Sequence, residues 1–308
     1  MQIYLPIAEL PVNVFLILFM GVAVGFISGM FGIGGGFLMT PLLIFVGITP
    51  AVAVASVASH IAASSFSGAM AYWRRRALDL PLAGMLLMGG FIGTAGGVWL
   101  FALLRSAGQL GLAIGLSYVT LLGIVGVLMI NESVRAIARA QRGKPADLRR
   151  PGSHAWFHGL PLKFRFKQSR IYVSLIPVWV IGFVIGFLGA IMGIGGGFLL
   201  VPALIYLLRV PTSVVIGTSM VLTLVTMAGA TVMHAATNQS VDAVLALILM
   251  VGGVIGAQFG ARTGQNIRAE RLRLLLGLLV LSVGIRFAFD LVIRPDDLYS
   301  LQVIAGPT

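Results

Sequence analysis

Long apolar stretches separated by short polar segments make up most of the chain. The stretch from Leu10 to Trp73 contains no Asp, Glu, Lys or Arg, and Leu80 to Leu104 is the next uncharged stretch. A helix that spans a membrane needs roughly 20 apolar residues. The pattern therefore predicts an all-α polytopic membrane protein.

The same pattern occurs twice along the chain. A shift of 161 residues aligns GIGGGF at 32–37 with GIGGGF at 193–198, and a two-residue slip then aligns Asp79 with Asp242. Similarity at such a long period indicates an internal duplication. It predicts two repeats, residues 1–133 and 171–308, joined by a linker at 134–170. The five helical segments expected in each repeat are 12–30, 34–48, 51–72, 80–104 and 108–130, and then 173–191, 195–208, 212–235, 241–261 and 272–293.

The positive charges predict how the repeats are oriented. Ten of the 21 Lys and Arg residues lie between Arg135 and Arg170, and basic loops mark the cytoplasmic face of a membrane protein. The linker 134–170 and the loop near residue 75 are therefore predicted to be cytoplasmic. Both termini and the uncharged segment 235–240 are predicted to be external. Asp79 and Asp242, which are expected to be helix N-caps, then lie on opposite sides, so the two repeats have inverted topology.

Composition narrows the possible partners. The chain has 58% hydrophobic residues, a mean hydropathy of +1.03, a net charge of +12 and no cysteine. Because the basic residues cluster in one loop without a recognisable nucleic-acid module, the charge argues against nucleic acid as a partner. The absence of cysteine excludes disulfides and thiolate metal sites. We expect a lipid bilayer around the protein, no metal or cofactor, and a homodimer as one further arrangement compatible with the sequence.

Two glycine clusters are the main candidates for a binding site. The segments that follow them, 34–48 and 195–208, are roughly 22 Å long at 1.5 Å per residue, too short to cross the hydrocarbon core. We expect each chain segment to break at the glycines and return as a hairpin, with the two breaks meeting near the membrane midplane. The first amides of the returning helices would then form an anion site without any lysine or arginine. The predicted substrate-binding glycines are Gly34, Gly35, Gly36, Gly195, Gly196 and Gly197.

Other glycines have a simpler interpretation. Glycines spaced by four residues allow membrane helices to approach closely. The three sets assigned to helix packing on this basis are Gly21-Gly25-Gly29, Gly89-Gly93-Gly97 and Gly252-Gly256-Gly260. The GIGGG clusters are instead predicted to have a backbone-binding or hairpin-tip role, because three adjacent glycines point in successive directions and no single helix face uses them all; helix packing is the alternative.

Polar residues within the apolar segments are the remaining site candidates. Ser56, His60, Thr218 and Ser219 could line the path and bind oxyanion oxygens. Alternatively, the hydroxyls bond to carbonyls of their own or a neighbouring helix, and His60 is a buried neutral side chain or a proton carrier. His234 is expected at the membrane interface. Arg286 and Asp290, four residues apart, are expected to form a structural pair on one helix face.

The doubled motif resembles a known family. The segments GFISGMFGIGGGFLMTPLL, starting at Gly25, and GFLGAIMGIGGGFLLVPAL, starting at Gly186, are similar to the pattern of the TauE/SafE sulfite exporters, also called the 4-toluene sulfonate uptake permeases. The resemblance covers essentially the whole chain and implies inner-membrane carriers of sulfite, sulfonates, sulfoacetate or related anions. The family's Gly-Thr-Ser element matches at 217–219, whereas Ser56, Val57 and Ala58 occupy the corresponding places in the first repeat. Related thiosulfate transporters use cysteines, which this chain lacks.

These observations predict a secondary transporter rather than an enzyme. It would move a small sulfur-containing oxyanion across a bacterial inner membrane by alternating access, in the direction of export. A carrier of carboxylate anions and an anion channel with the same fold are the alternatives. An intramembrane enzyme would need a convergent acid, base or metal cluster, which one scattered histidine does not supply.

Overall fold

The structure is a computed structural model of the chain. It describes residues 2–31, 35–74, 78–141, 162–166, 168–169, 171–208, 210, 212–263 and 269–292.

The first half begins with a short antiparallel hairpin and continues as five helices. The elements are β1 (Gln2–Leu5), β2 (Leu10–Asn13), α1 (Val14–Phe31), α2 (Gly36–Phe45), α3 (Pro50–Arg74), α4 (Leu80–Ser106) and α5 (Leu110–Gln141). Helix α5 thus continues beyond residue 133, where the predicted first repeat ends.

The second half has the same order of elements. They are β3 (Lys163–Phe166), β4 (Ile171–Ser174), α6 (Leu175–Met192), α7 (Gly197–Tyr206), α8 (Thr212–Met233), a π-helix (His234–Asn238), α9 (Ala243–Thr263) and α10 (Ala269–Val292). Each strand pair forms its own two-stranded antiparallel sheet. The ten predicted helical segments all correspond to helices, while the two hairpins were absent from the sequence prediction.

Eight helices in the described part of the chain are long and apolar enough to cross a membrane. Helices α2 and α7 are not among them, because each has ten residues and a length of about 15 Å. The predicted class of an all-α polytopic membrane protein is therefore confirmed. Helices α3 and α8 are the most buried of the eight spans, whereas α5 and α10 are the least buried.

Helix α1 of the first half packs tightly against α9 of the second half. A β-carbon placed on Gly29 would lie 2.1 Å from the carbonyl oxygen of Ala257, and one on Gly260 would lie 1.9 Å from that of Phe26. No side chain fits at such distances, so glycine is required on both helices. The predicted packing role of the glycines spaced by four is confirmed here.

Helices α4 and α6 pack in the same manner. A β-carbon on Gly93 would lie 2.0 Å from the carbonyl oxygen of Phe183, and one on Gly186 would lie 2.2 Å from that of Gly90. By position in the element order, α4 corresponds to α9 and α6 corresponds to α1. The two glycine-packed pairs are therefore reciprocal, since each joins the first helix of one half to the fourth helix of the other.

Each hairpin contacts a buried aspartate of the opposite half. Asp242 caps the start of α9 by accepting from the N–H of Leu245 at 3.1 Å, and its second carboxylate oxygen accepts from the N–H of Ile7 at 2.9 Å in the turn between β1 and β2. The N–H of Ala8 lies 3.4 Å from the same oxygen. The carboxylate thereby ties the hairpin of the first half to a helix of the second half.

Asp79 makes the corresponding contact between a helix of the first half and the hairpin of the second half. This residue caps α4 by accepting from the N–H of Leu82 at 3.1 Å. Its second oxygen accepts from both the N–H and the hydroxyl of Ser169, at 2.9 and 2.6 Å, in the turn between β3 and β4. The predicted N-cap roles of Asp79 and Asp242 are confirmed, and each carboxylate also has a long-range partner. We call these two contacts the aspartate clasps.

The π-helix explains part of the two-residue slip that is needed to align Asp79 with Asp242. A π-helical turn accommodates an inserted residue within a helix, and His234–Asn238 lies between the GIGGG motif and Asp242. Asn238 closes this turn by donating its amide to Nδ1 of His234 at 2.9 Å, while its main-chain carbonyl accepts from the guanidinium of Arg105. No such turn follows α3 in the described residues of the first half. The insertion therefore distinguishes the two halves.

Candidate functional site

The second glycine cluster forms a true interruption between two helices. We call residues 193–196 the second break. Helix α6 ends at Met192, α7 begins at Gly197, and Gly193, Gly195 and Gly196 have φ angles of 65°, 80° and 64°. These angles lie in the left-handed region that glycine adopts at little cost. The run of glycines is therefore required by the backbone path.

The first glycine cluster is described from Gly35 onwards. We call residues 32–35 the first break, of which only Gly35 lies within the described residues, so the predicted site residue Gly34 lies outside them. Gly35 has a φ of 67° and is the N-cap of α2. A β-carbon on it would lie 2.9 Å from Cβ of Ser28 and 3.0 Å from Cγ1 of Val24. Since both belong to α1, the chain has turned back alongside that helix.

The two short helices begin next to each other. The rings of Phe37 and Phe198 stack with their centroids 4.7 Å apart and their planes within 16°. A β-carbon on Gly36 would lie 2.4 Å from the carbonyl oxygen of Gly193, and the hydroxyl of Thr40 donates to the same oxygen at 3.2 Å. The two glycine clusters thus meet in direct backbone contact, as the sequence predicts.

Several amides in the second break and at the start of α7 have no partner among the described residues. The N–H groups of Gly195, Gly196 and Phe198 have no hydrogen bond to any described residue, although all three residues are buried. The N–H of Gly197 differs, because it donates to the carbonyl of Gly195 at 2.6 Å. Unpaired buried amides are rare and cost free energy unless something accepts from them. At the positive end of helix α7 they favour an anion.

Ser56 and Thr218 lie near the clasps. The hydroxyl of Ser56 accepts from the N–H of Asp242 at 3.0 Å, and that of Thr218 accepts from the N–H of Asp79 at 3.2 Å. The two side chains therefore make equivalent contacts, even though the repeat aligns Ser56 with Gly217. Each hydroxyl links helix α3 or α8 to the start of α9 or α4, which gives both residues a structural contact in addition to their predicted substrate role.

Ser219 and His60 are buried and bond to main-chain carbonyls. Ser219 donates to the carbonyl of Ile216 in its own helix at 2.8 Å. His60 donates from Nδ1 to the carbonyl of Leu249 in α9 at 2.7 Å, and its Nε2 is buried without a partner among the described residues. With Nδ1 protonated, Nε2 is a free acceptor. Both interpretations of His60, a buried neutral side chain and a proton carrier, therefore stay predictions.

His234 does not lie at an exposed interface. Its side chain is fully buried, its Nε2 donates to the carbonyl of Ala190 at 3.1 Å, and its ring meets Phe101 edge to face with centroids 4.6 Å apart. The ring is therefore enclosed by the protein, and its expected position at the level of the membrane interface stays a prediction. Arg286 and Asp290 do form the predicted pair, with 3.4 Å between the charged atoms.

Sequence reasoning missed two residues beside the breaks. Ile61 of α3 contacts Gly36 at the start of α2 and Gly195 in the second break, and its only signal in the sequence is its position one residue after His60. Ser28 lies against Gly35 with its hydroxyl buried and without a partner among the described residues. Ser28 lies in the first copy of the doubled motif, and the second copy has Gly189 at the same position. This difference is visible in the sequence.

An apolar cavity adjoins the second break. It has a volume of about 470 Å³ and lies between α5, α6 and α7. Its lining includes Met192 and Leu199, on either side of the break, and the hydroxyl residues Ser117 and Thr120. Because the lining is otherwise apolar, the cavity itself does not suit an oxyanion. Among the described residues, no group of three His, Cys, Asp or Glu could hold a metal ion.

The spans, the reciprocal helix pairs and the two adjoining breaks define a polytopic helical membrane protein with two half-length helices that begin side by side. Residues 17–287 match the model of the family described as Sulfite exporter TauE/SafE, and the chain belongs to that family.

Curated relatives cover nearly the same length. The chain is 33% identical over 86% of its length to a probable membrane transporter protein of Xylella fastidiosa (strain 9a5c), covering 91% of that protein. It is 24% identical over 88% of its length to the probable membrane transporter protein YunE of Bacillus subtilis (strain 168), covering 96% of it. No solved structure matches the chain significantly. The protein is therefore a multi-pass membrane transporter and not an enzyme.

Proposed function

We propose that the protein is a secondary transporter that exports a small sulfur-containing oxyanion, of the sulfite, sulfonate or sulfoacetate class, across the bacterial plasma membrane. The anion binds where the first and second breaks meet. The observation that carries this proposal is the set of buried N–H groups at Gly195, Gly196 and Phe198, which have no partner among the described residues and lie beside the start of the opposing helix α2.

An oxyanion suits this site for electrostatic reasons. Its oxygens accept several hydrogen bonds at once, and the dipoles of α2 and α7 both present their positive ends near the stacked rings of Phe37 and Phe198. The proposed ligands are Gly34, Gly35, Gly36, Gly195, Gly196 and Gly197. Because these donors belong to the backbone, the site binds an anion without burying a cationic side chain, which would be costly at membrane depth.

The positions of the clasps support inverted repeats. Asp242 contacts Ser56, near the start of α3, whereas Asp79 follows the end of the same helix at Arg74. With 25 residues, α3 is long enough to cross the membrane. The two aspartates therefore lie towards opposite ends of this helix. We infer that the linker 134–170 is cytoplasmic and that the termini are external, in agreement with the basic loops.

The reciprocal helix pairs offer a mechanism for alternating access. The pairs α1–α9 and α4–α6 each join both halves through glycine contacts too close to separate without loss of packing. We propose that each pair moves as a rigid unit and that the breaks form the fixed site between them. Transport is driven by the proton gradient or the membrane potential, and the proposed proton carrier is Nε2 of His60, which has no partner among the described residues.

The test is a flux panel in proteoliposomes. The purified protein would be assayed with sulfite, sulfoacetate, taurine, thiosulfate, sulfate and a carboxylate, under imposed pH and voltage gradients. We expect saturable flux of at least one sulfur oxyanion. Flux of the carboxylate alone would support the alternative carrier, single-channel currents would support a channel, and the absence of flux for every anion would refute the proposal.

A further inference from the structure

The side chain of Ile61 contacts both the start of α2 and the second break. It lies on α3 and is fully buried. A β-carbon on Gly36 would lie 2.2 Å from Cδ1 of Ile61, and one on Gly195 would lie 2.6 Å from Cγ2. The branched side chain therefore fills the space between the start of α2 and the second break.

A second observation marks this region as a place for a ligand. The hydroxyl of Ser28 is only 1% exposed and has no partner among the described residues, and the Cβ that carries it lies against Gly35 at the start of α2. A buried hydroxyl without a partner is costly. Together with the N–H groups of Gly195 and Gly196, which also have no partner among the described residues, it places polar groups in need of a partner beside both helix starts, where Ile61 lies against Gly36 and Gly195.

In this arrangement, the charged oxygens of a sulfonate and its organic substituent contact different surfaces of the protein. The charged oxygens accept from the amides, so the fourth substituent on sulfur points away from them, towards apolar surface. The apolar surface in contact with both Gly36 and Gly195 is the side chain of Ile61. A lone pair, as in sulfite, needs no room there, whereas an alkyl or aryl group needs the volume that Ile61 occupies.

We propose that Ile61 is a specificity-determining residue that limits the size of the substituent on the transported anion. The inference rests on the proposed anion site at the breaks. It predicts that the wild-type protein prefers sulfite and short sulfonates to bulky ones. A pocket discriminates about 10-fold or more for each methylene that does not fit, so shortening Ile61 should reduce this discrimination by about the same factor.

The experiment measures how well sulfonates of graded size inhibit sulfite flux in proteoliposomes. Methanesulfonate, butanesulfonate and benzenesulfonate would be compared for the wild type, Ile61→Val and Ile61→Ala. We expect inhibition by the two larger anions to improve about tenfold in Ile61→Ala, with Ile61→Val between it and the wild type. Ile61→Val removes only the Cδ1 atom, so it keeps the test valid if Ile61→Ala does not reach the membrane.

Ile17→Ala is the matched control. Ile17 is also a fully buried isoleucine, but it lies near the start of α1, away from the breaks. This variant should keep the size preference of the wild type. Equal size preference in the Ile61 and Ile17 variants, with sulfite flux intact, would overturn the role of Ile61 and leave the anion site standing. A wild type that transports no anion would instead overturn the proposed function.

Discussion

The two breaks share the letters GIGGGF but differ in what lies beside them. In the first half, Cβ of Ser28 lies against Gly35, and the Ser28 hydroxyl is buried without a partner among the described residues. In the second half, the corresponding residue is Gly189, and a β-carbon there would lie 3.6 Å from the N–H of Gly196. The first break therefore has a side-chain donor where the second has only backbone.

The two aspartate clasps, unlike the two breaks, make matching contacts in both halves. Asp79 and Asp242 each cap a helix, bind the turn of a hairpin from the other half and receive support from a hydroxyl on α3 or α8. The supporting hydroxyls, Ser56 and Thr218, are chemically alike although the residues differ. The contacts of the clasps are therefore the same in both halves, whereas Ser28 and Gly189 make the surroundings of the two breaks different.

The largest expected effect comes from changes within the breaks. Gly35→Ala and Gly196→Ala place a β-carbon at φ angles of 67° and 64°, which costs about 1–2 kcal/mol. The β-carbon also meets Cβ of Ser28 at 2.9 Å in the first case and Cγ2 of Ile185 at 2.5 Å in the second. We expect flux of the transported anion to fall about tenfold or more in both variants.

The control for the breaks is Gly84→Ala. A β-carbon on Gly84 meets nothing within 4 Å, and the residue lies in regular helix. Flux in this variant should equal that of the wild type at equal protein in the membrane. Wild-type flux in Gly196→Ala would show that the second break does not form the site.

The next largest effect comes from the clasps. Replacement of Asp79 or Asp242 by alanine leaves buried N–H groups of a helix start and a hairpin turn without acceptors, each group costing about 1–3 kcal/mol. We expect a lower Tm in detergent for both variants, by similar amounts. Asp290→Ala serves as the control, because Asp290 belongs to an exposed pair with Arg286 and such pairs contribute little. A markedly smaller effect at one clasp would show that the frame is not symmetric.

The smallest effect is expected at the supporting hydroxyls. Ser56→Ala and Thr218→Val each remove one hydrogen bond to the N–H of an aspartate, at a cost of about 1 kcal/mol. If these residues act only through the clasps, both variants lower Tm slightly and leave the KM for the anion unchanged. A raised KM with an unchanged Tm would instead support the substrate-binding role predicted from sequence.

The sequence predicts those features that depend on local pattern. Glycines spaced by four, the GIGGG breaks and the two N-cap aspartates each have a distinct local signature, because a backbone contact, a left-handed φ angle or an unpaired helix amide demands a particular residue type. The aspartates needed only the repeat alignment to be recognised as a matched pair.

The features that were missed depend on long-range packing. The hairpins consist of four-residue strands, too short for a clear alternation of polar and apolar residues. Ile61 is one apolar residue among many in α3, and its contact with both Gly36 and Gly195 exists only after the halves come together. Ser56 and Thr218 make equivalent contacts with the two aspartates. The sequence did not reveal this, because the offset that aligns the repeats changes between the breaks and the clasps.

The most direct test of the central claim is counterflow of labelled sulfite in proteoliposomes that contain the wild type, Gly196→Ala or Gly84→Ala. A site formed by the breaks predicts that unlabelled sulfite inside the vesicles drives uptake of the label by the wild type and by Gly84→Ala, and that Gly196→Ala abolishes this uptake. Equal counterflow in all three proteins would contradict the claim that the unpaired amides of the second break hold the anion.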